Sequence, residues 1–246
     1  MTRQNETDIF LKFFNENLKY KNIYFDIGAC VGELSFPFYN IFNKIYSFEP
    51  NIEAIAIFKK NNKYQNIHLI ESAVSNSNDK IKFGGFGGAK RFNQAGIRKF
   101  DNINEMNTIL VNSDSFMNNK IPNPCNLPMP KHNSGDLTEI NSMTLEKFIE
   151  TNNISYENIS FIKMDIEGGE KYVIPNIKNI LNKYHIPLYL ELHTHVLNYN
   201  ECMDILKILF NIYSKIYDIK FNDAIYNVLD NNIKKGCGTV ALFFFD

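Results

Sequence analysis

The 246-residue sequence predicts a doubly wound α/β protein, with a mostly parallel sheet and helices on both faces. Short, apolar, β-rich runs alternate along the chain with stretches of helical periodicity, which is typical of βαβ units with buried parallel strands. The first run stops at a glycine loop, as a buried parallel strand does at its carboxyl end. The last two runs are separated by polar residues and predict a closing antiparallel pair.

The elements are predicted in a regular order along the chain. A first strand at 22–27 and a helix from about Gly32 are followed by a second strand at 44–49 and a short helix after Asn51. The later strands are predicted at 67–70, 159–165 and 187–192, with the closing pair at 216–221 and 239–245. Apolar residues at helical spacing predict two more helices, at about 173–181 and 203–213.

The composition indicates an ordinary globular protein. Hydrophobic residues make up 44% and charged residues 22%, and the net charge of −1 argues against a chain that coats nucleic acid or an anionic membrane. No apolar run reaches the roughly 18 residues of a membrane span, and the charged start at 1–12 is unlike an export signal, so we expect a cytoplasmic protein. The four cysteines lack C-x-x-C spacing, which suggests neither a disulfide framework nor a zinc cluster.

One long segment interrupts the alternation, between about 83 and 141. It contains a glycine run, several prolines and a basic cluster formed by Lys90, Arg91, Arg98 and Lys99. Long segments without a pattern of their own are commonly functional or disordered. We interpret this one as an acceptor-facing insertion in a single domain spanning 1–246, the alternative being a surface excursion. The basic cluster is expected to bind a phosphate of the substrate, unless it is a solvated surface.

Two features at predicted strand ends indicate a nucleoside-type cofactor. The motif D-x-G-x-x-x-G runs from Asp26 through Gly28 to Gly32, and its glycines are expected to let the backbone turn and a ligand approach closely. Glu49 ends the next strand, 23 residues after Asp26, which is close to the spacing at which an acid binds ribose hydroxyls in such folds. The alternative for Glu49 is a cap of the helix that follows.

A third motif carries a narrower resemblance. The run I-K-M-D-I-E-G-G-E at 162–170 is similar to the I-K-x-D-x-E-G-x-E motif of the FkbM family of class I S-adenosylmethionine-dependent methyltransferases. The lead-in T-L-x-x-F at 144–148 and the apolar-E-x-H pattern at 190–193 also resemble that family. The resemblance implies a Rossmann-like sheet of about seven strands, with the last strand antiparallel, and S-adenosylmethionine as the cofactor.

The resemblance also implies roles for individual residues. Asp26 would lie near the methionine end of the cofactor and Glu49 would bind the ribose hydroxyls. The remaining cofactor-binding candidates are Gly28, Ala29, Gly32, Phe48, Asn51, Ser72 and Ala73. For Ser72 and Ala73, an ordinary exit from the third strand is the alternative.

Acceptor chemistry is predicted at the ends of the fourth and fifth strands. Asp165 stands where methyltransferases of this fold meet the acceptor, although it could also cap a helix. Transfer to a hydroxyl needs a base, for which His193 is the first candidate and His195 the second. Glu167 and Glu191 are expected to bind substrate. A weaker alternative places the acceptor oxygen on a divalent metal held by Asp165, Glu191 and His193.

The sequence therefore predicts an O-methyltransferase for a hydroxyl of a sugar, in a nucleotide sugar, a glycan or a glycosylated metabolite that could carry phosphate. The first alternative is a nucleic-acid methyltransferase. A cytosine C5 enzyme needs a Pro-Cys pair for its thiolate, but Pro124-Cys125 lies in the irregular segment rather than after the fourth strand. An enzyme for exocyclic amines needs a D/N-P-P-aromatic motif after that strand, and the sequence there lacks it. The second alternative is a non-catalytic nucleoside-binding module. Loss of Asp26, Gly28, Glu49 or Asp165 would favour that module, and the sequence has all four.

Overall fold

The computed structural model describes residues 3–84, 96–97, 138–235 and 238–246. In chain order the strands are β1 (Ile23–Ile27), β2 (Lys44–Phe48), β3 (Ile67–Ile70), β4 (Ala73–Val74), β5 (Lys80–Gly84), β6 (Gly96–Ile97), β7 (Thr138–Met143), β8 (Ile159–Met164), β9 (Leu188–His193), β10 (Lys215–Asp218) and β11 (Thr239–Phe245). The helices are α1 (Arg3–Asn17), α2 (Ile52–Asn61), α3 (Leu145–Thr151), α4 (Glu170–Tyr184), α5 (Tyr199–Ile212) and α6 (Tyr226–Lys234).

Seven strands form the main sheet, in the order β10-β11-β9-β8-β1-β2-β3. The pairs from β3 through β9 are parallel, whereas β11 runs antiparallel to both β9 and β10. The predicted α/β class, the mostly parallel seven-stranded sheet and the antiparallel last strand are therefore confirmed.

Helices cover both faces of the main sheet, as predicted. Successive strand residues point to opposite faces, so Tyr24 joins one hydrophobic cluster and Phe25 the other. On the first face, aromatic side chains of α1 pack on the sheet; the rings of Phe13 and Phe243 stack at 4.3 Å between centroids. Helices α3 to α6 contribute buried residues to the second face. The sheet is thus buried on both sides.

Four elements differ from the sequence prediction. The helix expected from about Gly32 is wrong: the segment forms turns and one 3-10 turn at Phe36–Phe38. Pro37 lies inside that segment, has no N–H to donate and sterically opposes a preceding helical turn. Helices α1, α3 and α6 were not predicted, since their apolar residues are mixed with Asn or charged residues.

A second, four-stranded sheet, in the order β4-β7-β5-β6, lies at the two ends of the predicted insertion. β5 and β7 pair antiparallel where the chain leaves and re-enters the main domain. The residues between them lie outside the described part of the chain except for β6. No helix in the described ranges is long and apolar enough to cross a membrane.

Candidate active site

The order of the strands reverses at the centre of the main sheet, where β1 lies between β2 and β8. In doubly wound sheets, ligands bind outside the carboxyl ends of the strands at such a switch point. Glu49 directly follows β2, Asp165 directly follows β8, and His193 ends β9. Because these strands are parallel, the predicted cofactor and acceptor residues share one edge of the sheet.

The glycine loop after β1 requires both of its glycines, and the predicted turning of the backbone is one reason. Gly28 has a φ of +82°, and a Cβ there would lie 1.8 Å from the carbonyl oxygen of Asp165. Gly32 has a φ of +95°, and its Cβ would lie 2.5 Å from the Phe36 ring. Close packing of the protein on each glycine is a second reason, which was not predicted. Ala29 is buried and donates its N–H to Phe48 O at 3.0 Å.

Glu49 joins the glycine loop to the start of α2. Its Oε2 accepts a hydrogen bond from Cys30 N and its Oε1 one from Asn51 N, both at 2.8 Å. Burial raises the pKa of Glu49 to about 7, against the lowering effect of these two hydrogen bonds. The cap of α2 is Asn51, whose Oδ1 accepts from Glu53 N and Ala54 N. The carboxylate of Glu49 is thus fixed against the loop rather than used as the helix cap.

Asp26 and Lys163 form a buried ion pair beneath the loop. Lys163 Nζ lies 3.2 Å from Asp26 Oδ1 and 3.7 Å from Asp165 Oδ2, and it donates to Gly28 O at 2.8 Å. Burial acts to lower the pKa of Lys163, but Asp26, Asp165 and Glu191 outweigh it and raise the pKa above its usual value. Asp26 also accepts a hydrogen bond from Ser35 Oγ at 2.5 Å. Asp26 therefore faces the protein interior. Its partner Lys163 was not among the predicted site residues.

Three carboxylates surround the imidazole of His193. Its Nδ1 lies 3.0 Å from Glu170 Oε1, and its Nε2 lies 3.4 Å from Asp165 Oδ1 and 3.5 Å from Glu167 Oε1. Burial acts to lower the pKa of His193, but Glu167, Glu170 and Asp165 outweigh it and raise the pKa well above its usual range. The predicted residues Asp165, Glu167 and His193 are thus brought together, with Glu170 as a fourth member that was not predicted.

His195 and Glu191 lie beside this cluster. His195 Nε2 is 3.8 Å from Glu167 Oε2, and its side chain is partly exposed. Glu191 Oε1 accepts a hydrogen bond from Tyr189 OH at 2.9 Å. Burial, together with the negative charges of Asp165 and Glu6, raises the pKa of Glu191 to about 8.

The predicted metal ligands were Asp165, Glu191 and His193, and the structure replaces Glu191 in this set. Among the described residues, Asp165, Glu167 and His193 have ligand atoms within 4.8 Å of one another and could hold a divalent cation. Glu167 is the third residue of this group, whereas Glu191 was predicted. The loop between β8 and α4 brings Glu167 there, since its Gly168 packs on Val196 after β9. The loop reaches this position through a φ of +50° at Glu167 and +97° at Gly168. Asp165 precedes the helix by five residues, so the N-cap of α4 is Gly169.

The other predicted cofactor residues, Phe48, Ser72 and Ala73, are buried. The Phe48 ring is buried and packs against the rings of Phe25 and Phe148. Ser72 is buried and its Oγ donates to Asn141 O at 3.0 Å, while Ala73 is buried in β4. The predicted substrate residues Lys90, Arg91, Arg98 and Lys99 lie outside the described residues.

The sheet order and its switch point define a Rossmann-like α/β domain with an acid-rich site at the carboxyl ends of its strands. The family model of the methyltransferase FkbM domain matches residues 26–218, which is most of the chain. The chain therefore belongs to the FkbM methyltransferase family, as its motifs predicted.

Solved structures of two bacterial methyltransferases resemble the chain distantly. The methyltransferase FkbM from Methylobacillus flagellatus KT has 13% sequence identity and a TM-score of 0.46, over 95% of this chain and 46% of that one. A TehB-like SAM-dependent methyltransferase from Corynebacterium glutamicum has 8% identity and a TM-score of 0.44, over 98% of this chain and 88% of that one. The chain thus spans about half the length of the first structure. No curated protein matches the chain.

Proposed function

We propose that the protein is an S-adenosylmethionine-dependent O-methyltransferase that methylates a hydroxyl of a sugar. The observation that carries the proposal is the carboxylate of Glu49, which the backbone N–H groups of Cys30 and Asn51 hold at the switch point of the sheet. Membership of the FkbM family supports methyl transfer as the reaction.

The residues around Glu49 fit an adenosine group. A carboxylate offers about four lone-pair directions, and the two backbone N–H groups use one on each oxygen. One direction on each oxygen is left for a pair of ribose hydroxyls. Ile52, three residues further on, is 75% exposed at the start of α2, where an apolar side chain suits the face of a purine. These contacts favour a nucleoside with an unmodified ribose diol.

The negative charges near His193 suit the positively charged sulfur of S-adenosylmethionine. Asp165, Glu167 and Glu170 lie within 3.5 Å of one imidazole, so the site attracts positive charge. S-adenosylmethionine would supply the methyl group from a positively charged sulfur, which ends the reaction as a neutral thioether. An acidic site of this kind suits the charged form of the cofactor at the start of the reaction.

The same carboxylates influence the pKa of His193 in a way that suits a base. In the structure they favour the protonated ring, and a cation bound beside them lowers the pKa of the imidazole. Cofactor binding therefore favours release of the ring proton and leaves Nε2 able to accept one from the acceptor hydroxyl. After transfer, the carboxylates stabilise the imidazolium that holds this proton.

The proposed acceptor is a sugar hydroxyl on a molecule that carries a phosphate. The sugar hydroxyl follows from the resemblance to the FkbM family, and a phosphate on that acceptor from the basic cluster at 90–99. The cation alternative would hold the acceptor oxygen at Asp165, Glu167 and His193 instead of deprotonating it directly at the ring. Turnover that survives treatment with a chelator supports His193 as the base.

Binding of S-adenosylhomocysteine tests the cofactor assignment. At a concentration 100 times its Kd, this ligand adds about 2.7 kcal/mol of stability, which raises the melting temperature of a chain this size by about 5–10 °C. Glu49→Ala is expected to abolish the rise, whereas the neighbouring control Glu53→Ala keeps it. A wild-type chain that shows no rise does not bind the cofactor as proposed.

A screen for methyl incorporation tests the acceptor. Nucleotide sugars, glycans and oligonucleotides are incubated with labelled S-adenosylmethionine, and Asp165→Asn serves as the inactive control. Incorporation into a sugar hydroxyl supports the proposal, and incorporation into an oligonucleotide alone would identify a nucleic-acid methyltransferase.

A further inference from the structure

Glu170 has a position that a helix-end charge does not explain. It is the first residue of α4, where a carboxylate commonly stabilises a helix through its dipole while remaining in solvent. Its side chain is instead fully buried. Its Oε1 accepts a hydrogen bond from Ile166 N at 3.3 Å and lies 3.0 Å from His193 Nδ1. A buried carboxylate needs a polar partner, and the imidazole is that partner.

Main-chain packing fixes the distance between Glu170 and His193. Gly168 has a φ of +97°, and a Cβ there would lie 2.5 Å from Val196 Cγ1. Val196 N in turn donates to His193 O at 2.9 Å. The loop that leads into α4 therefore packs directly on the residues that follow His193. The packing of the Gly168 backbone on the Val196 side chain thus holds the start of α4 beside the ring.

This arrangement directs the second ring nitrogen of His193 away from Glu170. Nε2 lies 3.4 Å from Asp165 Oδ1 and 3.5 Å from Glu167 Oε1, on the side of the predicted acceptor residues. The stronger hydrogen bond at one ring nitrogen decides which nitrogen carries the proton in a neutral imidazole. All three carboxylates accept and cannot donate, but Glu170 Oε1 lies at hydrogen-bond distance from Nδ1, 3.0 Å, whereas the nearest oxygens at Nε2 lie at 3.4 and 3.5 Å. The shorter contact of Glu170 therefore favours the form with hydrogen on Nδ1.

We infer that Glu170 is a positioning residue, which holds His193 in one orientation and one tautomer so that Nε2 accepts the proton of the acceptor hydroxyl. The inference rests on the proposed function. In the step that it serves, the hydroxyl oxygen forms a bond to the methyl carbon as the carbon–sulfur bond breaks and its electron pair stays on sulfur. The hydroxyl proton moves to Nε2, so the site gains one positive charge on the ring as the sulfur loses one.

Nitrogen NMR of the imidazole tests this assignment without an acceptor. Spectra of the ¹⁵N-labelled chain are recorded with and without S-adenosylhomocysteine, at an alkaline pH where the ring is neutral. The His193 signals are identified by their absence in His193→Gln. A hydrogen bond to a charged acceptor favours one tautomer by a factor of about ten or more, so the wild type is expected to show about 90% of the Nδ1–H form.

Two variants of Glu170 distinguish a role in orienting the His193 ring from a purely structural role of the carboxylate. Glu170→Met removes the acceptor at similar volume, so the Nε2–H form is expected to predominate, because an imidazole in water favours it. Glu170→Gln keeps an acceptor oxygen and is expected to retain the Nδ1–H form. The control Glu146→Met removes the first-turn carboxylate of α3 and should leave the His193 spectrum unchanged.

The outcomes distinguish this inference from the proposed function. A folded Glu170→Met chain with the wild-type tautomer overturns the positioning role. Where that variant does not fold, a wild-type chain in which the Nε2–H form predominates overturns it equally. A wild-type chain that fails to bind S-adenosylhomocysteine overturns the cofactor assignment, whereas the tautomer is still read from the ligand-free spectra.

Discussion

Glu49→Gln is the substitution that relates the structure most directly to a measurable free energy. Burial raises the pKa of this carboxyl from 4.5 to about 7 in the folded chain. The unfolded chain loses the proton first as the pH rises, so folding becomes less favourable between pH 4.5 and about 7. At 1.36 kcal/mol for each pH unit, the wild type is expected to lose about 3 kcal/mol of stability from this group alone.

Urea unfolding at a series of pH values measures this loss. Glutamine has a similar shape but no proton to release, so the free energy of unfolding of Glu49→Gln lacks this part of the decline. The other titrating groups are common to both chains and cancel in the difference between the two curves. The variant is expected to gain about 3 kcal/mol relative to the wild type between pH 4 and pH 8. Parallel curves would mean that the pKa of Glu49 is not raised in the folded chain.

The same proton controls cofactor binding in this interpretation. Only the deprotonated carboxylate accepts a hydrogen bond from both ribose hydroxyls while Cys30 N and Asn51 N bind its oxygens. Affinity for S-adenosylhomocysteine should therefore fall about tenfold for each pH unit below about 7 in the wild type. In Glu49→Gln it should be weak and nearly independent of pH. Calorimetry at pH 5, 6, 7 and 8 makes the comparison, with Glu53→Gln as a control of the same charge change. Equal slopes in the wild type and Glu49→Gln would exclude Glu49 from the ribose site.

Three further outcomes are expected from the remaining site residues. Asp165→Asn should keep affinity for S-adenosylhomocysteine within about threefold while methyl transfer collapses, and unchanged turnover would remove Asp165 from the reaction. Arg91→Ala and Arg98→Ala should raise the KM for a phosphorylated acceptor but not for its dephosphorylated form; an equal KM for both assigns these residues to a solvated surface. Lys163→Met leaves the carboxylate of Asp26 buried without its cation, so urea unfolding should show a loss of about 3–5 kcal/mol. A loss below about 1 kcal/mol would mean that Ser35 alone satisfies Asp26.

The sequence predicted the fold and the residues at the strand ends because both depend on short-range patterns. Alternating apolar runs identified all seven strands of the main sheet, and parallel strands necessarily bring their carboxyl ends together. Glu49, Asp165 and His193 could therefore be assigned to one edge before their distances were known. The helix after Gly32 was wrong because the conformation of Gly32 and Pro37 outweighed the apolar pattern around them.

Side-chain direction could not be predicted in the same way. Phe48 and Glu49 are adjacent in sequence, yet one lies in the core and the other lies against the glycine loop. Glu191 was predicted as the ligand beside Asp165 and His193, whereas Glu167 lies there, through the positive φ of Glu167 and Gly168. Backbone conformations of this kind depend on tertiary packing, here the contact of Gly168 with Val196.

Lys163 links the glycine loop after β1 to Asp165. Its ammonium group contacts Gly28 O in the loop and lies near Asp26 beneath it and Asp165 beyond it. The sequence contained a signal for this role, since a lysine in a buried strand must have an anionic partner. That partner could not be named, because β1 and β8 are separated by more than 130 residues and only their pairing brings Asp26 beside Lys163. One buried cation thus fixes Asp165 relative to the loop that is proposed to bind the cofactor.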